Sequence, residues 1–202
     1  MSARKPTKNR KAEILQVALD LAFENGPDRL TTGMIADRLG LTQPAIYKHF
    51  KNKDDIWQGL ADKLCSLIAA NIAETRDASL TGMACLRQLV LGHLRLVQDH
   101  PALPGIMVMR DLSKAQSASL LQIRVSMSEF RDALLKAIQE AQSKGQFRSD
   151  ISAEDGATLI FGIIQGLVLR LLLSRDPAIL LKDGERLLDL QLSLLAERGE
   201  NN

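Results

Sequence analysis

Apolar residues recur at helical spacing along most of the chain and almost never alternate with polar ones. Ile14, Leu15, Ala18, Leu21 and Ala22 form a stripe stepping by three and four. That predicts an amphipathic helix from about Lys8 to Asn25, ended by Gly26-Pro27. Trp57, Leu60, Ala61, Leu64, Leu67 and Ile68 repeat the pattern from about Lys53 to Ala73. Five further helical segments follow: about Leu80 to Asp99, a short one near Gly105 to Leu112, then Ser117 to Lys144, Ala153 to Ser174 and Asp183 to Arg198. No stretch shows sustained period-two alternation with β-branched residues. The chain is therefore predicted to be all-α, with about nine helices.

The densest local information lies between the first two of these helices, in LTTGMIADRLGLTQPAIYKHFKNK, Leu30 to Lys53. Thr31 or Thr32 is a side-chain N-cap for a short helix ending at Leu39, and Gly40 is suited to the left-handed residue that closes it. Thr42 caps the next helix, and Pro44 sits in its first turn, where a missing N–H costs little. Two short helices around a Gly turn make a helix-turn-helix, whose second helix can enter a DNA major groove. In that helix Ile46 and Phe50 share a side that can be buried, whereas Pro44, Ala45 and Lys48 face away and Tyr47 and His49 flank them. A solvated helix normally carries acids on its outer face, yet none occurs between Thr42 and Phe50. Gln43 can pair with an adenine edge and Ala45 can meet a thymine methyl. Tyr47, Lys48 and His49 can reach phosphates or base edges.

Charge distribution adds to this. The net charge of +2 says little. Between Met1 and Lys53, however, ten Lys or Arg stand against five Asp or Glu, with Arg4, Lys5, Lys8, Arg10 and Lys11 forming a basic arm. A basic head on a slightly acidic remainder fits a DNA-binding unit carried by a body with another task.

The Thr31-Thr32 helix start, Ile35-Ala36, Leu39-Gly40-Leu41 and the run Ala45-Ile46-Tyr47-Lys48-His49-Phe50-Lys51-Asn52-Lys53 resemble the tetracycline-repressor (TetR) family of bacterial regulators. The resemblance is specific over about Arg10 to Leu64, and Gln43-Pro44 is similar to the tetracycline repressors themselves. It implies a DNA-binding domain over 1–53 and an effector-binding and dimerisation domain over 54–202. Thr31, Thr32, Thr42, Gln43, Pro44, Ala45, Tyr47, Lys48, His49 and Lys53 are then the candidate contacts to a palindromic operator. The helix starting at Lys53 would link head and body.

Leu159, Ile160, Ile163, Ile164, Leu167, Val168, Leu171 and Leu172 cover more than one face of their helix, and Gly162 and Gly166 permit close approach of another. In the resembled family the last two helices of each of two protomers form a four-helix bundle. The expected homodimer interface is Leu159, Gly162, Ile163, Gly166, Leu167, Leu187, Leu190 and Leu194. The family also encloses a small-molecule cavity in its body. Candidate lining residues here are Met83, Leu86, His93, Met107, Arg110, Met127, Phe130, Phe161 and Gln165, among which Met supplies adaptable apolar walls.

Catalytic chemistry is not legible. There is no phosphate-binding Gly loop, His-Glu zinc motif or nucleophile elbow. His93 and His100 are two turns apart, but Asp99-His100-Pro101 reads as a helix end rather than a metal site. Cys65 and Cys85 read as small apolar residues rather than redox sensors, and no cofactor is expected. The most apolar run, Ala157 to Ser174, is interrupted by Gln165 and Arg170 and is short for a membrane span. A cytoplasmic, ligand-responsive regulator, most simply a repressor, is the expectation. The alternative is a helical enzyme or binding module with a merely structural basic head.

Overall fold

The computed structural model describes residues 7–75, 80, 82–106 and 118–197. Its elements are α1 (Thr7–Asn25), a 3₁₀ turn (Pro27–Arg29), α2 (Thr32–Leu39), α3 (Gln43–Tyr47), α4 (Lys53–Glu74) and α5 (Gly82–Asp99). They continue with α6, described over residues 103–106, then α7 (Ala118–Ser143), α8 (Ala153–Ser174) and α9 (Ile179–Leu195). The all-α, nine-helix expectation therefore holds among the described residues. Their one β-type pairing is an isolated bridge, Phe147 with Ala196.

Local chemistry explains most boundaries. Thr31, not Thr32, caps α2: its backbone is extended and its hydroxyl accepts from the Met34 N–H at 3.1 Å. Gly40 closes α2 at φ 64°, and the Leu41 N–H reaches back to the Ala36 carbonyl at 2.8 Å. A residue with a side chain would be strained at that φ. At α4 the Asp55 N–H donates to Asn52 Oδ1 at 2.8 Å, and Asp55 Oδ2 accepts from the Lys51 N–H at 2.9 Å. That reciprocal pair resembles a capping box with Asn52 as N-cap. Ser152 caps α8, accepting from the Asp155 N–H at 3.0 Å.

The expected boundaries fail where a second signal wins. Thr42 is the N-cap residue of α3 but its side chain makes no cap bond. A cap hydroxyl accepts from the second or third helical N–H. Pro44 has none, and the Ala45 N–H is taken by the Thr42 carbonyl at 2.9 Å. α3 also ends at Tyr47, three residues before Phe50, where the His49 N–H makes a tighter, three-residue turn onto the Ile46 carbonyl at 2.9 Å. α9 begins at Ile179 rather than Asp183: the Asp176 carboxylate accepts from the Ala178 N–H at 3.0 Å, so Asp176-Pro177 starts a helix as well as ending one. Asp183 instead pairs with Arg170 at 2.7 Å. α9 stops at Leu195, where the Arg148 N–H donates to the Leu195 carbonyl and the Glu197 N–H to the Gln146 carbonyl, flanking the Phe147–Ala196 bridge.

The chain divides into two compact units, Met1–Cys65 with His100–Ile123, and Ser66–Asp99 with Arg124–Asn202. The division falls inside α4 and inside α7. The first unit is built on Ile14, Leu30, Ile35, Ile46, Ile56 and Leu60, all fully buried. Burying side chains of this size stabilises by about 1.5–3 kcal/mol each. The second unit packs α9 against α5 and α8, around Leu86, Leu94, Phe130, Ile160, Leu167 and Leu188. Its helices approach closely at Gly184, where an added Cβ would lie 2.3 Å from Leu94 Cδ1, and at Gly82, where it would lie 2.5 Å from the Ala141 backbone. α8 is long and apolar enough to cross a membrane by length and composition. One side of it, Ile160, Ile164, Leu167 and Leu171, is buried in this unit.

Candidate nucleic-acid interface

The interface is best built from its anchor outward. Ile46 is fully buried and Phe50 nearly so. Truncating Ile46 to Ala would cost about 2–5 kcal/mol. With those two residues held, the opposite side of α3 must face outward. Thr42, Gln43, Pro44, Tyr47 and Lys48 are exposed, whereas Ala45 and His49 are half-buried. Tyr47 is 47% exposed, unusual for an aromatic residue in a folded unit.

Two side chains of the predicted set meet. Thr32 Oγ1 lies 3.3 Å from Tyr47 Oη, tying the first turn of α2 to the last turn of α3. Thr31, also exposed, is committed to its cap but keeps hydroxyl capacity. His49 Nδ1 is buried without a hydrogen-bond partner among the described residues. Lys53 is half-buried, its ammonium 5.6 Å from the Trp57 ring centroid, and Lys11 sits at the same distance over Phe50. Both cations are held over aromatic faces. Of the basic arm, Arg4 and Lys5 lie outside the described residues, and Arg10 pairs with Glu13 at 2.9 Å.

Two features of this unit were not foreseen. Arg38 donates in bidentate fashion to Glu24, at 3.1 and 2.6 Å, pinning α2 to α1. The guanidinium holds the Glu24 carboxyl below the usual carboxylate range. The fork is solvent-exposed, so it orients more than it stabilises. The unit also contains a small cavity of about 20 Å³ lined by Trp57, Leu60, Leu64, Leu103, Ile106 and Ile123, among others. That is room for about one water. Leu103, Ile106 and Ile123 lie in stretches where the sequence shows apolar spacing but not which residues converge.

The other predicted sites fall in the second unit. Leu86 and Phe130 are fully buried, Met127 and Phe161 are half-buried, and Gln165 is exposed. Met83 lines an open groove with Arg87, Gln146 and Asp189, in which Arg87 is bound by Asp189 and Glu185. Met107 and Arg110 lie outside the described residues. His93 is 5% exposed, its ring 4.6 Å from that of Phe130. Burial pushes its pKa down to about 4, so it is a neutral imidazole near neutral pH. No cluster of His, Cys, Asp and Glu suited to a metal occurs among the described residues.

Of the predicted interface residues, Leu159, Leu190 and Leu194 are half or more exposed, and Ile163 and Leu187 are partly so. Gly162 and Gly166 face open space, with nothing within 4 Å of an added Cβ. Leu167 differs: it is 1% exposed and lies against Gly184 inside its own protomer. Leu169 and Leu173, 58% and 79% exposed, extend the open face instead. The three- and four-residue steps from Leu159 through Gly162, Gly166, Leu169 and Leu173 carry that signal in the sequence.

Comparison with known proteins matches two stretches of the chain. Residues 14–59 match the family described as bacterial regulatory proteins, tetR family, and residues 109–182 match the tetracyclin repressor-like C-terminal domain. The HTH-type transcriptional regulator TtgR of Pseudomonas putida is 28% identical, over 95% of this chain and 94% of its own. A transcriptional regulator of Saccharomonospora viridis solved in complex with choline superposes with a TM-score of 0.80 at 19% identity, over 95% of this chain and 100% of its own. The ketosteroid transcriptional regulator KstR2 of Mycobacterium tuberculosis gives a TM-score of 0.78, also at 19% identity, over 94% of this chain and 96% of its own. At those identities the structural likeness is one of fold.

Proposed function

The chain belongs to the tetR family of bacterial regulatory proteins and is a DNA-binding transcriptional regulator, not an enzyme; from that premise we propose that it is a homodimeric repressor released from a palindromic operator by a small molecule. The observation that carries the reading is the acid-free outer face of α3, with Gln43, Pro44, Tyr47 and Lys48 exposed and Ile46 buried behind them. In this reading the DNA-binding domain is 1–53 and the effector-binding and dimerisation domain is 54–202. Gln43 and Ala45 meet base edges, while Thr31, Thr32, Thr42, Tyr47, Lys48, His49 and Lys53 hold register on the phosphates.

Dimerisation follows from two-fold operators, which need two recognition helices about one helical turn of DNA apart. The open apolar face of α8 and α9 is the surface offered for it: Leu159, Leu169, Leu173, Leu190 and Leu194 beside two uncovered glycines. The chain is a soluble regulator, and α8 is a helix of its body rather than a membrane span. A cytoplasmic setting goes with that role.

The S. viridis relative in fold was solved with choline, which supports a body able to hold a small molecule. In this chain we place the effector near His93, Phe130 and Phe161, where a neutral imidazole offers one donor and one acceptor among aromatic rings. An effector releases DNA only by binding the DNA-free conformation more tightly. Helix α4, which runs through both compact units, is the route for that coupling. The test is a gel shift of the protein on its own upstream DNA at physiological salt, with and without screened small molecules. Preferential binding to one palindrome at that salt, lost on adding one compound, is expected. No preference over random duplex would overturn the proposal.

A further inference from the structure

Helix α2 carries a glycine, Gly33, in its first turn. Glycine costs a helix roughly 0.5–1 kcal/mol relative to alanine, so its presence calls for a reason. Backbone freedom is not the reason, since the positive-φ glycines among the described residues are Gly26, Gly40 and Gly145. Close approach of another backbone is not the reason either, as it is at Gly82, where an added Cβ would lie 2.5 Å from the Ala141 backbone. What occupies the space at Gly33 is the end of one side chain. An added Cβ would lie 2.6 Å from Gln43 Nε2 and 3.8 Å from Gln43 Cδ, with Thr31 Oγ1 at an ordinary 3.6 Å. The carboxamide of Gln43, first residue of α3, rests on the bare first turn of α2.

We propose that Gly33 is a positioning residue for base recognition: its missing side chain leaves the seat that sets the direction of the Gln43 carboxamide, and thereby which base edge Gln43 meets. The proposal rests on the reading of Gln43 as a base contact. A carboxamide pairs in bidentate fashion only when its plane and both polar atoms match the base edge. A Cβ at 2.6 Å cannot coexist with Nε2 in that place, and the atom that yields is the free end of a flexible, exposed side chain. The displacement is therefore cheap in folding energy and expensive in aim.

The experiment compares wild type, Gly33→Ala, Gln43→Ala and the double variant. Each is assayed for thermal stability and for affinity to the operator and all its single-base variants. Gly33→Ala should melt no lower than wild type, since it replaces a helical glycine by alanine. Its preference at the base read by Gln43 should change by roughly 5- to 150-fold, the span of one bidentate contact. On the Gln43→Ala background the same substitution should leave base preference unaltered, because there is no carboxamide left to re-aim. If Gln43→Ala alters base preference and Gly33→Ala does not, the positioning role is refuted while the base contact stands. An equal shift in both backgrounds would refute it too, since Gly33 would then act independently. If Gln43→Ala leaves preference unchanged, the base contact itself fails and the proposal falls with it.

Discussion

The outer face of α3 exposes Gln43, Pro44, Tyr47 and Lys48, whereas the outer face of α8 exposes Leu159, Leu169 and Leu173 beside Gly162 and Gly166. Each is the uncovered side of a helix whose other side is fully buried. The exposed chemistry is opposite. One face is polar, hydroxyl-bearing and free of acids, which suits a polyanion. The other is apolar with small residues, which suits a second apolar helix. Exposure alone therefore does not identify a site; what is exposed identifies the class of partner. The interiors differ as well. Among the described residues the first unit buries one polar side chain, Ser119, behind Ile14, Ile35 and Ile46, while the second buries the titratable His93 together with Asn71 and Ser126 among its leucines.

The largest effect should come from filling the α8 face. Gly166 is exposed and an added Cβ there meets nothing within 4 Å in its own protomer, so the Gly166→Trp variant should fold. It should sediment as a monomer and lose roughly 10²- to 10⁴-fold in operator affinity, the avidity of a second half-site. Analytical ultracentrifugation and circular dichroism decide the matter together. A folded dimer with normal DNA affinity would place the interface elsewhere and undo the contrast between the two faces.

The interior contrast is tested by pH. The pKa of His93 is pushed down to about 4 from 6.5 by burial, so the unfolded chain binds more protons between those values. Stability from the neutral imidazole is then fully present above pH 6.5 and is lost as pH falls towards 4. The loss is on the order of 2–3 kcal/mol by about pH 4.5. Urea melts of wild type and His93→Leu near neutral pH and at about pH 4.5 measure it as the change in their difference. A difference that does not move with pH would mean that His93 is solvated in the folded protein.

Much of this was legible in the sequence, and the failures share a cause. Residues that act through their neighbours in the chain were readable: the Thr31 cap, the Gly40 turn, the start of α8 at Ala153 and the buried side of α3. Properties set by residues distant in sequence were not. Leu167 belongs to the apolar arc of α8 but is buried because Gly184 of α9 makes room for it. The Glu24–Arg38 fork and the seat of Gln43 on Gly33 each join residues ten or more apart, with no periodic signal to announce them. The α9 start was missed because it is set by the Asp176 carboxylate accepting from the Ala178 N–H, ahead of any periodic stripe.

A smaller effect sharpens the reading of α3. Lys48→Ala should weaken binding to all duplexes alike and reduce the slope of log affinity against log salt by about 1, the signature of one lost phosphate contact. Salt titrations on operator and random DNA measure this. A slope unchanged from wild type would remove Lys48 from the phosphate set.

The central claim is that the exposed face of α3 is what recognises DNA. Its most direct test is the ratio of affinities for the operator and for random duplex, measured in wild type and in a variant carrying Gln43→Ala, Tyr47→Ala and Lys48→Ala together. All three side chains are exposed, so the variant should melt and dimerise as wild type does. Specific regulators bind their sites roughly 10³- to 10⁷-fold more tightly than random DNA. The account predicts a ratio of that order for wild type and a ratio near one for the variant. A folded, dimeric variant that keeps the wild-type ratio would contradict it.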